Sequence, residues 1–98
     1  MTKSQLVQEL INHAVHISQK DMAMIVETIF DSMVQALQSG DRIELRGFGT
    51  FEVRVREPRL GRNPKSGSSV VVPEKYVPHF KAGKELRERV DLAPGASE

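Results

Sequence analysis

The sequence predicts an α+β fold that combines a helical hairpin, a three-stranded antiparallel sheet with an extended β-ribbon arm, and a short C-terminal helix. Apolar residues recur at helical spacing over residues 22–37, and apolar and polar residues alternate over residues 50–56. Turn-forming residues cluster at 61–67, between two segments with the pattern of strands. The 98 residues suit one domain. We place this domain at residues 1–90 and expect a disordered tail at residues 91–98.

Two helices are predicted in the N-terminal part of the chain. Thr2 and Gln5 have the spacing of a capping box, which places the start of the first helix at Lys3. Ser18 is the predicted N-cap of the second helix, and Gly40 is the expected stop after its end. The apolar stripe of the second helix consists of Met22, Ile25, Val26, Ile29, Phe30, Met33, Val34 and Leu37. Because this stripe is wider than the first helix can cover, it predicts a dimerisation surface.

Three strands follow, predicted at residues 41–46, 50–56 and 69–77. The Gly-Phe-Gly sequence at 47–49 is the predicted turn between the first two strands. Pro73 interrupts the third strand and requires a sheet edge or a bulge, because proline has no N–H for the ladder. The arm is expected at about residues 56–74. The short C-terminal helix is expected from Lys84 to Val90.

Charge is segregated along the chain. The net charge of +1 and the pI of about 8.1 do not by themselves indicate a nucleic-acid partner. Residues 1–41, however, carry two Lys/Arg against five Asp/Glu, whereas residues 42–90 carry twelve Lys/Arg against six Asp/Glu. The basic part contains the arm, and no acid occurs between residues 58 and 72. A cationic β-ribbon of this kind suits insertion into a groove of nucleic acid.

Other classes of function find little support in the residues. There is no cysteine, which excludes disulfides and thiolate metal sites and fits a reducing compartment. Of the three histidines, His13 and His16 could lie near one another, but they straddle a helix end and have no nearby carboxylate or cysteine partner for a metal site. No catalytic triad, nucleotide-cradling loop or carboxylate pair is apparent. No apolar run approaches the length of a membrane helix, and no secretory leader is apparent. We therefore expect no enzymatic activity, cofactor, metal or membrane partner.

Three sequence blocks resemble the HU/integration host factor family of bacterial DNA-bending proteins. They are RGFGTF at residues 46–51, GRNPKSG at 61–67 and KYVPHFKAGKEL at 75–86. The resemblance runs from Met1 to about Val90, and residues 42–46 and 75–79 make it closer to the beta-type chains of integration host factor than to HU. It implies an intertwined dimer, with an alpha-type integration host factor chain or with a second copy of itself.

The same resemblance implies how this dimer acts. Two arms would follow the minor groove of double-stranded DNA and bend it sharply. The protein would be cytoplasmic and nucleoid-associated in a bacterium. It would act in site-specific recombination, in the regulation of transcription and in DNA compaction.

Residues of the arm tip carry the sharpest of these expectations. By its local sequence, Pro64 is a proline that shapes a turn. The resemblance implies instead that Pro64 wedges between two base pairs and kinks the duplex, as the arm-tip proline does in the family. Arg59, Arg62, Asn63 and Lys65 are expected to line the minor groove, where the negative potential attracts cations; the alternative is a solvated charged loop.

Glu44 and Arg46 form a second candidate site. Two residues apart on a strand, they share a face, so the carboxylate can orient the guanidinium. The resemblance implies that Arg46 contacts base edges in the minor groove while Glu44 positions it. The alternative is a surface ion pair worth less than about 1 kcal/mol.

Phosphate contacts are expected from helix starts and from cations along the strands. Lys3 and Ser4 begin the first helix, and Gly83 and Lys84 begin the last, where free N–H groups favour anions. Further cations are available at Arg42, Arg54, Arg56, Lys75, Lys81 and Arg87. His79 lies beside two of them and is a candidate phosphate or sugar contact.

Two other functions remain open from the sequence. The nearer is an HU-like protein that compacts DNA without sequence preference. The more distant is a protein-interaction module whose ribbon pairs with a partner strand, and the alternating arginines disfavour it because a charged edge resists pairing.

Overall fold

The structure, a computed structural model, describes residues 1–92 and confirms the predicted α+β fold. The elements are α1 (Lys3–His13), α2 (Gln19–Gln38), β1 (Ile43–Leu45), β2 (Gly49–Arg56), β3 (Arg59–Arg62), β4 (Ser69–Val72), β5 (Lys75–Ala82) and α3 (Lys84–Leu92). The chain divides into two compact units, residues 1–36 and residues from 37 onward.

The first unit contains the two helices, and both begin where the capping residues predicted. The Gln5 N–H donates to Thr2 Oγ1 at 3.2 Å and the Thr2 N–H donates to Gln5 Oε1 at 2.8 Å, which completes a capping box. The Asp21 N–H donates to Ser18 Oγ at 3.1 Å at the start of α2. Each cap satisfies donors that the first helical turn leaves without a partner.

The core of the first unit is small. Val7, Met22 and Val26 are buried, and Leu6, Leu10, Ile11, Ala14 and Ile17 pack against them. Four members of the α2 stripe, Ile25, Ile29, Phe30 and Val34, are between 40% and 52% exposed. Fully burying one such side chain is worth roughly 1.5–3 kcal/mol, so these residues favour packing by a second chain. Their exposure agrees with the predicted dimerisation surface.

The second unit contains a three-stranded antiparallel sheet in the order β1-β2-β5 and a two-stranded ribbon, β3–β4. β2 and β5 pair along their whole lengths, from Gly49 opposite Ala82 to Arg56 opposite Lys75. On the apolar face of this sheet, the Phe51 and Phe80 rings lie 4.6 Å apart between centroids. The ribbon continues from the ends of β2 and β5 and forms the predicted arm.

The strand boundaries differ from the prediction, most of all in the last predicted strand, while β1 is shorter than predicted and β2 begins one residue earlier. The segment predicted as one strand at 69–77 is two strands, because the ladder stops before Pro73 and restarts at Lys75. β5 then continues to Ala82, since β2 offers eight pairing residues, and it tolerates Pro78 because it lies at the edge of the sheet.

The C-terminal helix is also longer than predicted. α3 continues to Leu92, so Asp91 and Leu92, which were assigned to the tail, are helical. The rest of the predicted tail, residues 93–98, lies outside the described residues.

Candidate nucleic-acid interface

One face of the three-stranded sheet is mostly polar, and its residues come from three separate segments of the sequence. The register places Glu52 opposite His79 and Arg56 opposite Lys75, and it aligns Glu44, Thr50 and Lys81 across the three strands. Side chains two residues apart share a face, so these positions and Arg54 lie on the same side. The face consists of Glu44, Thr50, Glu52, Arg54, Arg56, Lys75, Val77, His79 and Lys81.

Two exposed ion pairs occupy part of this polar face. Arg42 Nε lies 3.1 Å from Glu44 Oε1, and Arg54 Nη2 lies 3.2 Å from Glu52 Oε1. Exposed pairs of this kind contribute less than about 1 kcal/mol each, so a phosphate can compete for either guanidinium at small cost.

Arg56 and Lys75 are the cations at the base of the arm, and they are directly opposite each other. Like charges at such cross-strand positions destabilise a sheet. Neither side chain makes an ion pair within residues 1–92. A phosphate between the two would remove the repulsion, which makes this the strongest electrostatic indication of an anion on the polar face.

The predicted pairing of Glu44 with Arg46 is wrong. β1 ends at Leu45, so Arg46 lies in the turn and does not continue the alternation on which the prediction depended. The Glu44 carboxylate instead pairs with Arg42, its neighbour on the other side.

The turn itself presents Arg46. The Phe48 N–H donates to the Leu45 carbonyl at 2.8 Å, and the Gly83 N–H donates to the Phe48 carbonyl at 2.9 Å. Gly47 has φ +85°, a left-handed conformation that a side chain disfavours. Backbone hydrogen bonds therefore fix the turn that carries Arg46, and the ion pairs found within residues 1–92 do not include Arg46.

The starts of α1 and α3 are less free than predicted. The Gly83 N–H is used by Phe48, which leaves the first-turn N–H groups that follow it, including that of Lys84, for an anion. Lys84 Nζ lies 3.8 Å from Glu88 Oε1, and Arg87, further along the same helix, is exposed.

At the start of α1, Lys3 has a partner that the sequence did not reveal. Lys3 Nζ lies 2.6 Å from Glu27 Oε2 of α2. This hydrogen bond, followed by the Coulomb attraction of Glu27, raises the pKa of the exposed Lys3. Ser4 Oγ shares a hydrogen bond of 3.1 Å with Thr2 Oγ1. A phosphate that contacts Lys3 at this helix start therefore competes with Glu27.

The arm tip is a closed, hydrogen-bonded turn. The Lys65 N–H donates to Asn63 Oδ1 at 2.9 Å, the Gly67 N–H donates to the Asn63 carbonyl at 2.7 Å, and Gly67 has φ +71°. The Asn63 N–H donates to the Ser68 carbonyl at 2.8 Å. Pro64 is exposed at this tip and takes part in none of these hydrogen bonds. The Asn63 amide N–H₂ remains available, while its oxygen maintains the turn.

Arg59 and Arg62 lie on β3, the outgoing strand of the arm, and both are exposed. Their positions on the ladder differ, since Arg59 is opposite Val72 and Arg62 is opposite Ser69. The two guanidinium groups therefore start from opposite faces of the ribbon, which suits contacts with both walls of a groove.

Within residues 1–92, no group of three or more His, Asp or Glu side chains is placed to hold a metal ion. None of the helices in this part of the chain has the length and apolar character that crossing a bilayer requires.

Known proteins resemble this chain over nearly all of its length. Residues 1–91 match the family model described as bacterial DNA-binding protein. An integration host factor subunit beta from Laribacter hongkongensis is 63% identical, covering 95% of this chain and 94% of the relative. The protein of the same name from Azoarcus sp. (strain BH72) is 60% identical, covering 94% of this chain and 98% of the relative.

Solved structures of HU have the same fold. An HU–DNA cocrystal structure from Anabaena superposes with a TM-score of 0.86 at 36% identity and covers 95% of this chain and 100% of the HU chain. An HU variant from Thermotoga maritima gives a TM-score of 0.66 at 32% identity, covering 92% of this chain and 99% of that one. Since the family model and the relatives each match almost the whole chain, the chain belongs to the bacterial DNA-binding protein family.

Proposed function

We propose that this chain is the beta-type subunit of an architectural DNA-binding dimer that bends duplex DNA, as its similarity to integration host factor beta subunits suggests. The observation that carries the proposal is the continuity of positive charge. The cations on one sheet face include Arg56 and Lys75 at the base of the arm, and residues 58–72 of the arm contain no acid and lead to an exposed Pro64.

Binding begins with the phosphates. Arg54, Arg56, Lys75 and Lys81 supply positive charge on the polar face, and Arg42 adds to it from beside Glu44. Each phosphate contact releases counterions from the DNA. The ion pairs to Glu44 and Glu52 are weak enough to exchange for phosphates. Affinity therefore falls steeply as the salt concentration rises.

Bending follows from the arms. Each arm lies in the minor groove with Arg59, Arg62 and Lys65 along it, and Pro64 enters between two base pairs and stabilises a kink. Bending a short site by 40–90° costs on the order of 1–6 kcal/mol, and contacts along the bent path offset that cost. Arg46, held by its turn, adds selection among base edges, and the ease of kinking adds indirect selection.

The second chain is an alpha-type integration host factor subunit, or a second copy of this one. The half-exposed α2 stripe supports a dimer in either case. The dimer works at the bacterial nucleoid in the cytoplasm, where its bends serve site-specific recombination, the regulation of transcription and DNA compaction.

Fluorescence energy transfer tests the proposal. A duplex carrying one dye at each end is titrated with the chain alone and with the chain plus an alpha-type subunit of integration host factor. We expect energy transfer to rise sharply in at least one of the two titrations, because a bend brings the two ends of the duplex together. Binding to the duplex without any rise in transfer would contradict the proposal.

HU-like binding without sequence preference is the second candidate. It is favoured by the fact that Glu44 pairs with Arg42 and leaves Arg46 without a carboxylate partner in the described structure. Competition between a cognate site of integration host factor and a random duplex at fixed salt separates the two. A preference of tenfold or more, about 1.4 kcal/mol, favours the beta-type assignment, and equal affinity favours the HU-like one.

A further inference from the structure

The apolar side chains on the two faces of the β3–β4 ribbon differ in how much of their surface is packed. On one face, Val70 and Val72 close over Gly61, where an added Cβ would lie 3.1 Å from Cγ2 of Val72 and 3.8 Å from Cγ2 of Val70. On the other face, Leu60 and Val71 are directly opposite each other across the strands. One face is therefore partly packed on itself, and the other presents a Leu–Val pair.

This pair is far more exposed than its neighbours. Leu60 is 76% exposed and Val71 is 73% exposed, whereas Val70, the next residue along the same strand, is 40% exposed. Single exposed apolar residues are common on protein surfaces. A directly opposed pair on a narrow cationic ribbon is a continuous apolar strip, and such strips mark contact surfaces.

Charge identifies the class of partner. Arg62 follows Leu60 on the same face, opposite Ser69, and Lys65 lies just beyond it at the tip. Residues 58–72 contain no acid. An apolar strip that ends in cations suits a surface that alternates C–H groups with anions. The minor groove has this chemistry, because deoxyribose rings wall it between successive phosphates.

We propose that the Leu60–Val71 face is the side of the arm that lies against the deoxyribose walls of the minor groove. It supplies a part of the DNA affinity that is neither electrostatic nor dependent on sequence. The Val70–Val72 face points away from the groove floor and keeps the ribbon rigid over Gly61. This inference rests on the proposed function and adds to it the orientation of the arm.

Substitutions on the two faces test the orientation. Val71→Thr and Val70→Thr are isosteric changes at adjacent positions, one on each face, so they form a matched pair. We expect Val71→Thr to weaken duplex binding more than Val70→Thr, which should change it less than about twofold. Leu60→Gln combined with Val71→Thr should weaken it about tenfold. Because no phosphate contact is lost, the slope of log affinity against log salt stays unchanged in both, whereas Arg62→Gln lowers it by about one.

Methyl NMR on the complex locates the face directly. In the dimer bound to a duplex, with leucine and valine methyl groups labelled, we expect cross-relaxation from Leu60 and Val71 to the sugar H1′ and H4′ protons. Val70 should show none.

The outcomes separate the orientation from the function on which it rests. Cross-relaxation to sugars from Val70 in place of Leu60 and Val71 overturns the orientation, as does equal weakening by the two valine substitutions. If the double variant binds like the unsubstituted protein while Arg62→Gln binds less tightly, the pair serves another partner and the proposal is wrong. If the unsubstituted protein neither binds nor bends the duplex, the proposed function itself fails, and this inference fails with it.

Discussion

At the scale of single residues, backbone hydrogen bonds fix the two positions with the sharpest proposed roles. Pro64 sits on a tip that is closed by bonds to Asn63 and Gly67, and Arg46 sits on a turn closed by bonds to Leu45 and Gly83. Neither position depends on an ion pair, so salt should weaken phosphate contacts without altering how either residue is presented.

Pro64→Ala tests the wedge. We expect the bend measured by energy transfer to fall and affinity to drop about tenfold, because alanine cannot offset the few kcal/mol of unstacking. The tip hydrogen bonds do not involve Pro64, so the turn should survive the change. Pro73→Ala, at the break between β4 and β5, is the matched control and should leave the bend intact. An unchanged bend in the Pro64 variant would remove the wedge from the mechanism.

Glu27→Gln tests whether the ion pair with Lys3 competes with DNA. Loss of the Glu27 carboxylate frees the Lys3 ammonium at the start of α1. We expect the affinity for DNA to rise by up to about fivefold, which corresponds to the free energy of one exposed ion pair. Glu9→Gln makes the same change in net charge elsewhere on the helical unit and should give a smaller gain. Equal gains in filter-binding titrations would show that only net charge matters.

The pH dependence of this pair has a definite sign. The pKa of Lys3 is raised, first by its hydrogen bond to Glu27 and then by Coulomb attraction. A raised pKa contributes stability that is fully present below the unfolded value and is lost as pH rises through the folded one. Chemical denaturation measures the free energy of unfolding of the wild type and of Glu27→Gln. The difference between the two should be constant from about pH 6 to pH 9 and should shrink only in more alkaline solution.

At the scale of elements, the cations that lie close together on the sheet lower its stability. Arg56→Gln removes one member of the opposed pair with Lys75. We expect the free energy of unfolding to rise by roughly 0.2–1 kcal/mol, because like-charge repulsion disappears. At the same time the slope of log affinity against log salt should fall by about 0.9. Arg54→Gln, which breaks an ion pair with Glu52, is the comparison and should not stabilise the fold. Destabilisation by Arg56→Gln would contradict the assignment.

The elements also show how far the sequence determined the fold and the site. Helix starts were predictable because Thr2 and Ser18 act on donors within three residues of themselves. The Lys3–Glu27 pair was not, because it joins two helices and leaves no local pattern. The prediction that Arg46 continues the first strand was wrong. The end of β1 is set by the turn into β2, and the alternation of apolar and polar residues does not locate that turn. The Leu60–Val71 pair could not be predicted, because it depends on the register between β3 and β4, which the sequence of one strand does not reveal.

At the scale of the whole molecule, the single chain leaves its helical stripe half-covered. Ile29→Glu places a charge on that stripe, and the lost burial alone, about 1.5–3 kcal/mol, weakens the dimer roughly 10- to 150-fold. Gln35→Glu introduces the same charge at another exposed position of α2, outside the stripe, and should leave the dimer intact. Sedimentation velocity measures both. A dimer unaffected by Ile29→Glu would place the interface elsewhere.

The proposed DNA bending depends most on the arm tip being inside the minor groove. The chain has no cysteine, so Ser66→Cys provides one attachment point at the tip without removing a cation. Tethered iron–EDTA at this cysteine, on the dimer bound to a duplex, should cut both strands where this chain's arm lies, with the 3′-shifted pattern of minor-groove cleavage. A heterodimer should be cut at one place beside the bend, and a homodimer at two places flanking it. The same reagent at Asn12→Cys on α1 reports the background. Cleavage with the 5′-shifted pattern of the major groove, or none above background, would contradict the account.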